Sequence, residues 1–273
     1  HGGKGHDDHQ GPLIMRVPGV LEPLCARPKT SAVFLDFDGT LSPIVEDPAL
    51  ARPVDGVPAL LSELGARFGV VAVVSGRPAA FLGEHLGRPT GVRLIGLYGL
   101  EEVGEAAGPT VDPDALERWR PVMGDLADLA ERSAPAGVSV ERKELAFTLH
   151  FRHAPGEEGW VRRFADEHRD LTGLVVQAGR MAIELRPGIE ADKGSVVRAL
   201  AAGCTAACCF GDDLGDLAAF DALGSLAEAG MRVARVAVTD AESPPAVASA
   251  ADLAVEGPAG AMELLGALVA AAA

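Results

Sequence analysis

Asp36 and Asp38, in the stretch LDFDGTL (residues 35–41), are two carboxylates one residue apart just where an apolar, β-favouring run stops. In an open α/β sheet, the crevice beyond the carboxyl ends of the strands is where ligands bind. Two anions that close repel, so a cation, a proton or bulk water must lie between them. An EF-hand loop is excluded, because its glycine falls at the sixth position and Gly39 is the fourth from Asp36. An Asx-rich turn remains the structural alternative. A second acidic set, Asp212, Asp213 and Asp216 in FGDDLGD, follows another apolar run. It either caps the next helix or shares a hard divalent cation with the first pair; Mg²⁺ favours carboxylate, water and phosphate oxygens. Ser75 in VVSGRP either caps a helix or, with the adjacent N–H groups, holds an anionic oxygen. Lys193 in EADKGS lies in the first turn of a helix, where the dipole disfavours a cation unless an anion lies beside it.

The elements that must position these groups alternate in the outer parts of the chain. Strands are expected at Ala32–Phe37, Val70–Val74 and Arg93–Leu97, then at Thr205–Phe210, Arg232–Val238 and Asp252–Val255. Helices are expected at about Val57–Arg67, from Ser75 to Leu86, at Asp192–Ala201, after Asp216 and at Pro258–Ala270. About six strands in a largely parallel sheet result. The segment YGLEEVGEAAG reads as a surface hairpin or loop. Between these parts the pattern becomes helix-strand-strand twice: Pro113–Ser133, Val138–Arg142 and Leu145–Arg152, then Glu157–Asp170, Gly173–Gln177 and Met181–Leu185. Pro121 should kink or divide the first of these helices. The expected fold is α/β, a Rossmann-like parallel core with an inserted smaller α+β domain. Residues 1–30 read as an N-terminal tail, 31–111 and 187–273 as the core, and 112–186 as the insertion.

Composition bounds the partners. The chain has 273 residues, 48% apolar, and a formal net charge of −15, which argues against nucleic acid or an anionic membrane as partner. An anionic substrate would have to meet a local cluster of cations or a metal. The four cysteines lack zinc-ligand spacing and read as small core residues of a reducing compartment. No apolar segment of signal-peptide or membrane-spanning length is present, so a cytoplasmic monomer is expected.

The order D-x-D-G-T, S-G-R, K, G-D-D-x-x-D resembles the haloacid-dehalogenase-like phosphatases. An α+β cap between the second and third motifs marks the type IIB subclass. Within it, VERKELAFTLHFR, GRMAIELRPGIEADKG and FGDDLGDLAAFDAL are similar to the trehalose-6-phosphate phosphatase branch. The resemblance implies that Asp36 is a nucleophile forming an aspartyl phosphate, and that Asp38 is the general acid and base. Mg²⁺ would be held by the Asp36 carboxylate, the Asp38 backbone carbonyl and Asp212. Ser75, Gly76 and Lys193 would grip the phosphoryl oxygens, and Asp213 and Asp216 would orient Lys193 or metal-bound water. Glu141, Lys143, Arg180 and Glu184 would hydrogen-bond the distal sugar, and both E-x-K and R-x-x-x-E put their ends on one face of a strand. His150 either joins that face or is structural. Relatives usually carry Asn-His or Ser-His where this chain has Leu97 and Tyr98, and lysine where it has Arg180. The implied substrate is trehalose 6-phosphate. The alternatives are another sugar phosphate, of the sucrose 6-phosphate or mannosyl-3-phosphoglycerate type, and a non-catalytic sugar-phosphate-binding regulatory domain.

Overall fold

The computed structural model describes residues 16–105, 108–109, 111–143, 145–179, 181–189, 191–241 and 243–272. Eleven strands run through them: β1 (Ser31–Leu35), β2 (Val70–Val74), β3 (Arg93–Gly96), β4 (Glu101–Glu102), β5 (Ser139–Arg142), β6 (Phe147–His150), β7 (Val175–Gly179), β8 (Ala182–Arg186), β9 (Ala206–Gly211), β10 (Arg232–Thr239) and β11 (Leu253–Glu256). Seven of them form one sheet in the order β11-β10-β9-β1-β2-β3-β4. All its pairings are parallel except β3 with β4. This is the expected Rossmann-like sheet with one short antiparallel strand added at the edge.

Burial on both faces explains why its strands read as continuous apolar runs. Val33, Leu35, Val71, Val73, Cys208 and Phe210 pack into one buried cluster. Ala32, Phe34, Ala72, Val74, Ala207 and Cys209 pack into another. Strand β1 lies at the centre, with β2 on one side and β9, far off in sequence, on the other. Its last residue, Leu35, is level with both Val73 and Phe210, so the loops that follow β1, β2 and β9 emerge side by side. That is the switch point where such sheets bind ligands.

The remaining four strands form an antiparallel sheet, β5-β6-β8-β7, backed on one face by the helices Pro113–Ser133 and Glu158–Thr172. Phe147, Leu149, Ile183 and Leu185 pack with Met123, Leu126, Val161 and Phe164 in its core. The alternate residues point to the other face, towards the end of the large sheet.

Several expectations are corrected. Residues from Leu21 onward are not a tail: the helix Glu22–Ala26 forms, and Leu21 and Leu24 are fully buried in the core. Pro121 does not divide its helix, which runs unbroken from Pro113 to Ser133. Pro121 is on the exposed side, where water can satisfy the carbonyl its ring leaves unpaired. The helix after β2 begins at Ala79, not at Ser75, and the Ala79 N–H is capped by Glu101 Oε2 at 2.9 Å. The YGLEEVGEAAG segment is a hairpin in part, since β4 pairs antiparallel with β3, but it does not lie wholly at the surface: Leu100 is buried with Leu97, Leu116, Leu145 and Ala191 where the two sheets join. A helix at Pro245–Ala250 was not anticipated. Among the described residues no helix is long and apolar enough to cross a membrane.

Candidate active site

Asp36 follows β1, and its N–H donates to the Phe210 carbonyl at 3.0 Å, which ties it to β9. Its carboxylate is buried and meets the Lys193 ammonium at 2.7 Å. Lys193 opens the helix Lys193–Leu200 behind a reciprocal cap made by Asp192 and Ser195. The misplaced cation of the sequence reading thus finds two anions, Asp36 and, at 2.6 Å, Asp216. Burial works against the lysine charge, yet Asp216 and Asp36 together hold its pKa well above the ordinary value. Asp216 is fully buried, and its other oxygen accepts the N–H groups of Asp212 and Asp213 at 3.0 and 3.2 Å. It therefore orients Lys193 and the Asp212 loop at once. Asp213 is exposed and caps the following turn, accepting from Gly215 N at 2.8 Å.

Asp36, Asp212 and Asp216 bring one oxygen each within 4.8 Å of one another. Burial raises the Asp36 carboxyl well above its usual range, against the pull of Lys193, with the neighbouring acids adding to the rise. Burial, then Asp216 and Asp213, raises Asp212 to about 8. Three carboxylates beside one ammonium leave negative charge that a divalent cation would balance, and the donors are all hard oxygens. The backbone is shaped for the same purpose. At Gly39, with φ +74°, a Cβ would lie 1.9 Å from Asp212 Oδ2, so only glycine lets the Asp38–Gly39 backbone approach that carboxylate. The residues present fit a divalent metal held chiefly by Asp36 and Asp212. The Asp38 carboxylate does not join this group.

Instead it is gripped by Arg77, with Nε 2.7 Å from Oδ2 and Nη2 2.6 Å from Oδ1. Arg77 Nη1 also donates to the Pro48 carbonyl at 2.7 Å, and the guanidinium lies 4.6 Å from the Phe81 ring centroid. Nothing in the sequence alone assigns Arg77 a role. The only signal was its place in S-G-R, since the partner is 39 residues away. Ser75 is buried, and its hydroxyl accepts the Arg77 N–H at 3.1 Å, so it shapes the start of this loop without capping the helix.

Opposite this edge stands the polar face of the four-stranded sheet. Strand pairing sets Glu141 level with Thr148, Thr148 with Glu184, and Glu184 with Gln177, one row across all four strands. Glu184 is paired with the Lys143 ammonium, and His150 Nε2 lies 2.8 Å from Glu141 Oε2. That hydrogen bond holds the Glu141 pKa below the usual value. His150 thereby belongs to this face. The Thr148 hydroxyl is buried without a partner among the described residues. Both walls line one cleft of about 250 Å³ that includes Asp36, Asp38, Ser75, Gly76, Lys193 and Asp213 together with Glu141, Lys143, Thr148, Gln177 and Glu184. Arg180 lies outside the described residues. Thr148, Gln177 and Arg77 were not foreseen.

A trehalose-phosphatase family model matches residues 34–256. The chain belongs to the trehalose-phosphatase family. It is 39% identical over 207 residues to the trehalose-phosphate phosphatase of Mycobacterium avium (strain 104), covering 70% of this chain and 51% of that protein. With the corresponding protein of Mycobacterium leprae (strain TN) it shares 34% identity over 228 residues, 78% of this chain and 52% of the relative. The chain thus spans about half the length of the curated relatives it matches. Among solved structures, the C-terminal domain of C. albicans trehalose-6-phosphate phosphatase aligns over 93% of this chain and 98% of its own, with a TM-score of 0.68 and 25% identity. A trehalose-6-phosphate phosphatase related protein aligns at a TM-score of 0.69 and 24% identity, covering 88% and 97%, a likeness of fold. The haloacid-dehalogenase type of fold is the one expected, and membership of this family suggests a divalent metal at the acidic cluster.

Proposed function

We propose that the chain is a Mg²⁺-dependent phosphatase that hydrolyses trehalose 6-phosphate to trehalose and phosphate. The observation that carries this reading is the cleft itself. A buried Asp36 beside Lys193 and Ser75 forms one wall, and a row of polar, hydrogen-bonding side chains forms the other. A carboxylate so placed can attack phosphorus in line, forming an aspartyl phosphate as the sugar oxygen leaves. Asp38 supplies the proton to that oxygen, then takes one from the water that cleaves the aspartyl phosphate, so the two steps return the acid to its starting state. Arg77 fixes the plane of the Asp38 carboxylate, and the acid step needs one of its oxygens free of the guanidinium. Lys193, Ser75 and the Gly76 N–H bind the phosphoryl oxygens, with Asp216 keeping the ammonium aimed. Asp36, the Asp38 carbonyl and Asp212 would hold Mg²⁺, which when bound neutralises nucleophile and phosphate so that one anion can approach the other.

The segment 112–186 would serve as the cap, with Glu141, Lys143, Arg180 and Glu184 binding the distal glucose and closure excluding water. Phosphate release from trehalose 6-phosphate, sucrose 6-phosphate, glucose 6-phosphate and mannosyl-3-phosphoglycerate, with EDTA and then with Mg²⁺ restored, tests both substrate and metal. Preferred turnover of trehalose 6-phosphate that EDTA abolishes is expected. Equal or faster turnover of another ester would overturn the substrate assignment, and full activity in EDTA the metal.

A further inference from the structure

Tyr98 touches both walls of the cleft. It sits in a turn between β3 and β4 where two successive non-glycine residues adopt left-handed backbone, Leu97 at φ +46° and Tyr98 at φ +59°, ψ +23°. Such conformations persist only where the surroundings hold them. Here the Leu97 N–H donates to the Arg77 carbonyl and the Tyr98 N–H to the Ser75 carbonyl, both at 2.9 Å, so the strained pair is bonded to the loop that carries Ser75 and Gly76. The ring lies on that loop as well. A Cβ at Gly76 would stand 2.6 Å from both Cζ and the hydroxyl oxygen of Tyr98, so glycine there makes room for the ring.

The other end of Tyr98 reaches the four-stranded sheet. The Arg186 guanidinium lies 5.1 Å from its ring centroid. Gln177 Nε2 donates to the Tyr98 hydroxyl at 3.5 Å, and the Glu184 charge lies near enough to act on it. Burial, and after it the Glu184 charge, raises the phenol pKa well above its usual value, so the group stays a donor. Glu184 and Gln177 are neighbours in the row that faces the cleft.

Resting on the reading of the cleft as a sugar-phosphate hydrolase, we propose that Tyr98 is the positioning residue that couples sugar recognition to the phosphate grip. A polyhydroxylated ligand that engages Glu184 and Gln177 sets the position of the Tyr98 hydroxyl. Through the ring and the two backbone bonds, that position seats Ser75 and Gly76 around the phosphoryl group. Sugar binding energy is thereby spent on orientation at phosphorus, so it is expressed in kcat and not only in KM.

The test compares trehalose 6-phosphate with p-nitrophenyl phosphate in Mg²⁺, using wild type, Tyr98→Phe, Glu184→Gln and the double variant. Tyr98→Phe keeps the ring and removes the hydroxyl. It is expected to lower kcat/KM for the sugar ester, relative to the small ester, by about tenfold, mostly through kcat. The double variant should lose little more than the worse single variant, because both act on one path. A general folding defect lowers both esters together and leaves the ratio unchanged. An unchanged ratio, a loss confined to KM, or single losses that multiply in the double variant would each overturn the proposal. A wild type that prefers p-nitrophenyl phosphate would overturn the functional reading and this proposal with it. A wild type that prefers the sugar ester isolates failure to Tyr98 alone.

Discussion

The two walls of the cleft are built on opposite principles. On the large sheet the working groups follow strand ends, and backbone bonds fix them before any ligand arrives: Asp36 through Phe210, and Asp216 through the N–H groups of Asp212 and Asp213. They are buried and carry opposed charges at 2.6 to 2.7 Å. On the small sheet the working groups stand on the face of regular strands, alternating with the core residues Leu149 and Ile183. They pair with one another, Glu141 with His150 and Lys143 with Glu184. A strand end can concentrate charge because several N–H groups and a helix start meet there. A sheet face instead offers a spaced row of polar groups, suited to reading several hydroxyls at once. Under the proposed function reaction and selection are separable, and substitutions on the two walls should differ in kind as well as size.

The largest separation is expected from Asp36→Asn, which should lower turnover of every phosphate ester by about 10⁴-fold or more. Its thermal midpoint in EDTA should not fall, since the variant removes a carboxylate that burial disfavours. Near-normal turnover in steady-state assays would place the nucleophile elsewhere. Arg77→Ala tests whether the grip on Asp38 belongs to the reacting wall. We expect about a hundredfold loss on a sugar ester, whose leaving oxygen needs a proton. The loss on p-nitrophenyl phosphate, whose leaving group does not, should be smaller. Equal losses would mean that Arg77 serves some other step. Glu184→Ala should cost about tenfold in kcat/KM for trehalose 6-phosphate and less for the small ester, and a matched loss would move Glu184 out of sugar recognition.

The smallest effect is one of stability. Without metal, the folded protein keeps Asp212 protonated up to about 8, whereas an unfolded aspartate loses its proton near pH 4. Between those values the folded state binds more protons, so stability falls as pH rises from about 5 to about 8. The thermal midpoint in EDTA should therefore drop over this window by several degrees. Saturating Mg²⁺, by holding Asp36 and Asp212 ionised, should remove much of that slope. Melting curves with the same slope in both conditions would separate the acidic cluster from metal binding.

The reacting wall was the more legible in sequence. Asp36, Ser75, Lys193 and Asp212 each sit at the junction of an apolar run with a turn or helix start, and such junctions are local. Arg77 was not legible, because its meaning depends on Asp38 and Pro48, which the chain brings back from 39 and 29 residues away. Ser75 looked like a helix cap, but the cap is Glu101, supplied by β4 from 22 residues downstream. On the selecting wall, Glu141, Lys143 and Glu184 were visible through spacing and family resemblance. Thr148 and Gln177 were not, since only the register of β5, β6, β8 and β7 puts them in one row. Tyr98 stands out in the sequence as a departure, yet its segment reads as a surface hairpin or loop because its glycines and acids mask the buried Leu100.

By itself the sequence determined the chemistry available and the strands that carry it: alternating apolar runs for a parallel sheet, an α+β insertion, and acids with one lysine at the right ends. Those features follow from periodicity and from residues adjacent in the chain. Tertiary structure alone decided which groups meet. The level pairing of β1 with β9 brings Asp36 near Asp212, the register of the small sheet aligns Glu141 with Gln177, and a left-handed turn puts Tyr98 between the two walls. Each of these depends on the packing of segments distant in sequence, and packing is a property of the whole core.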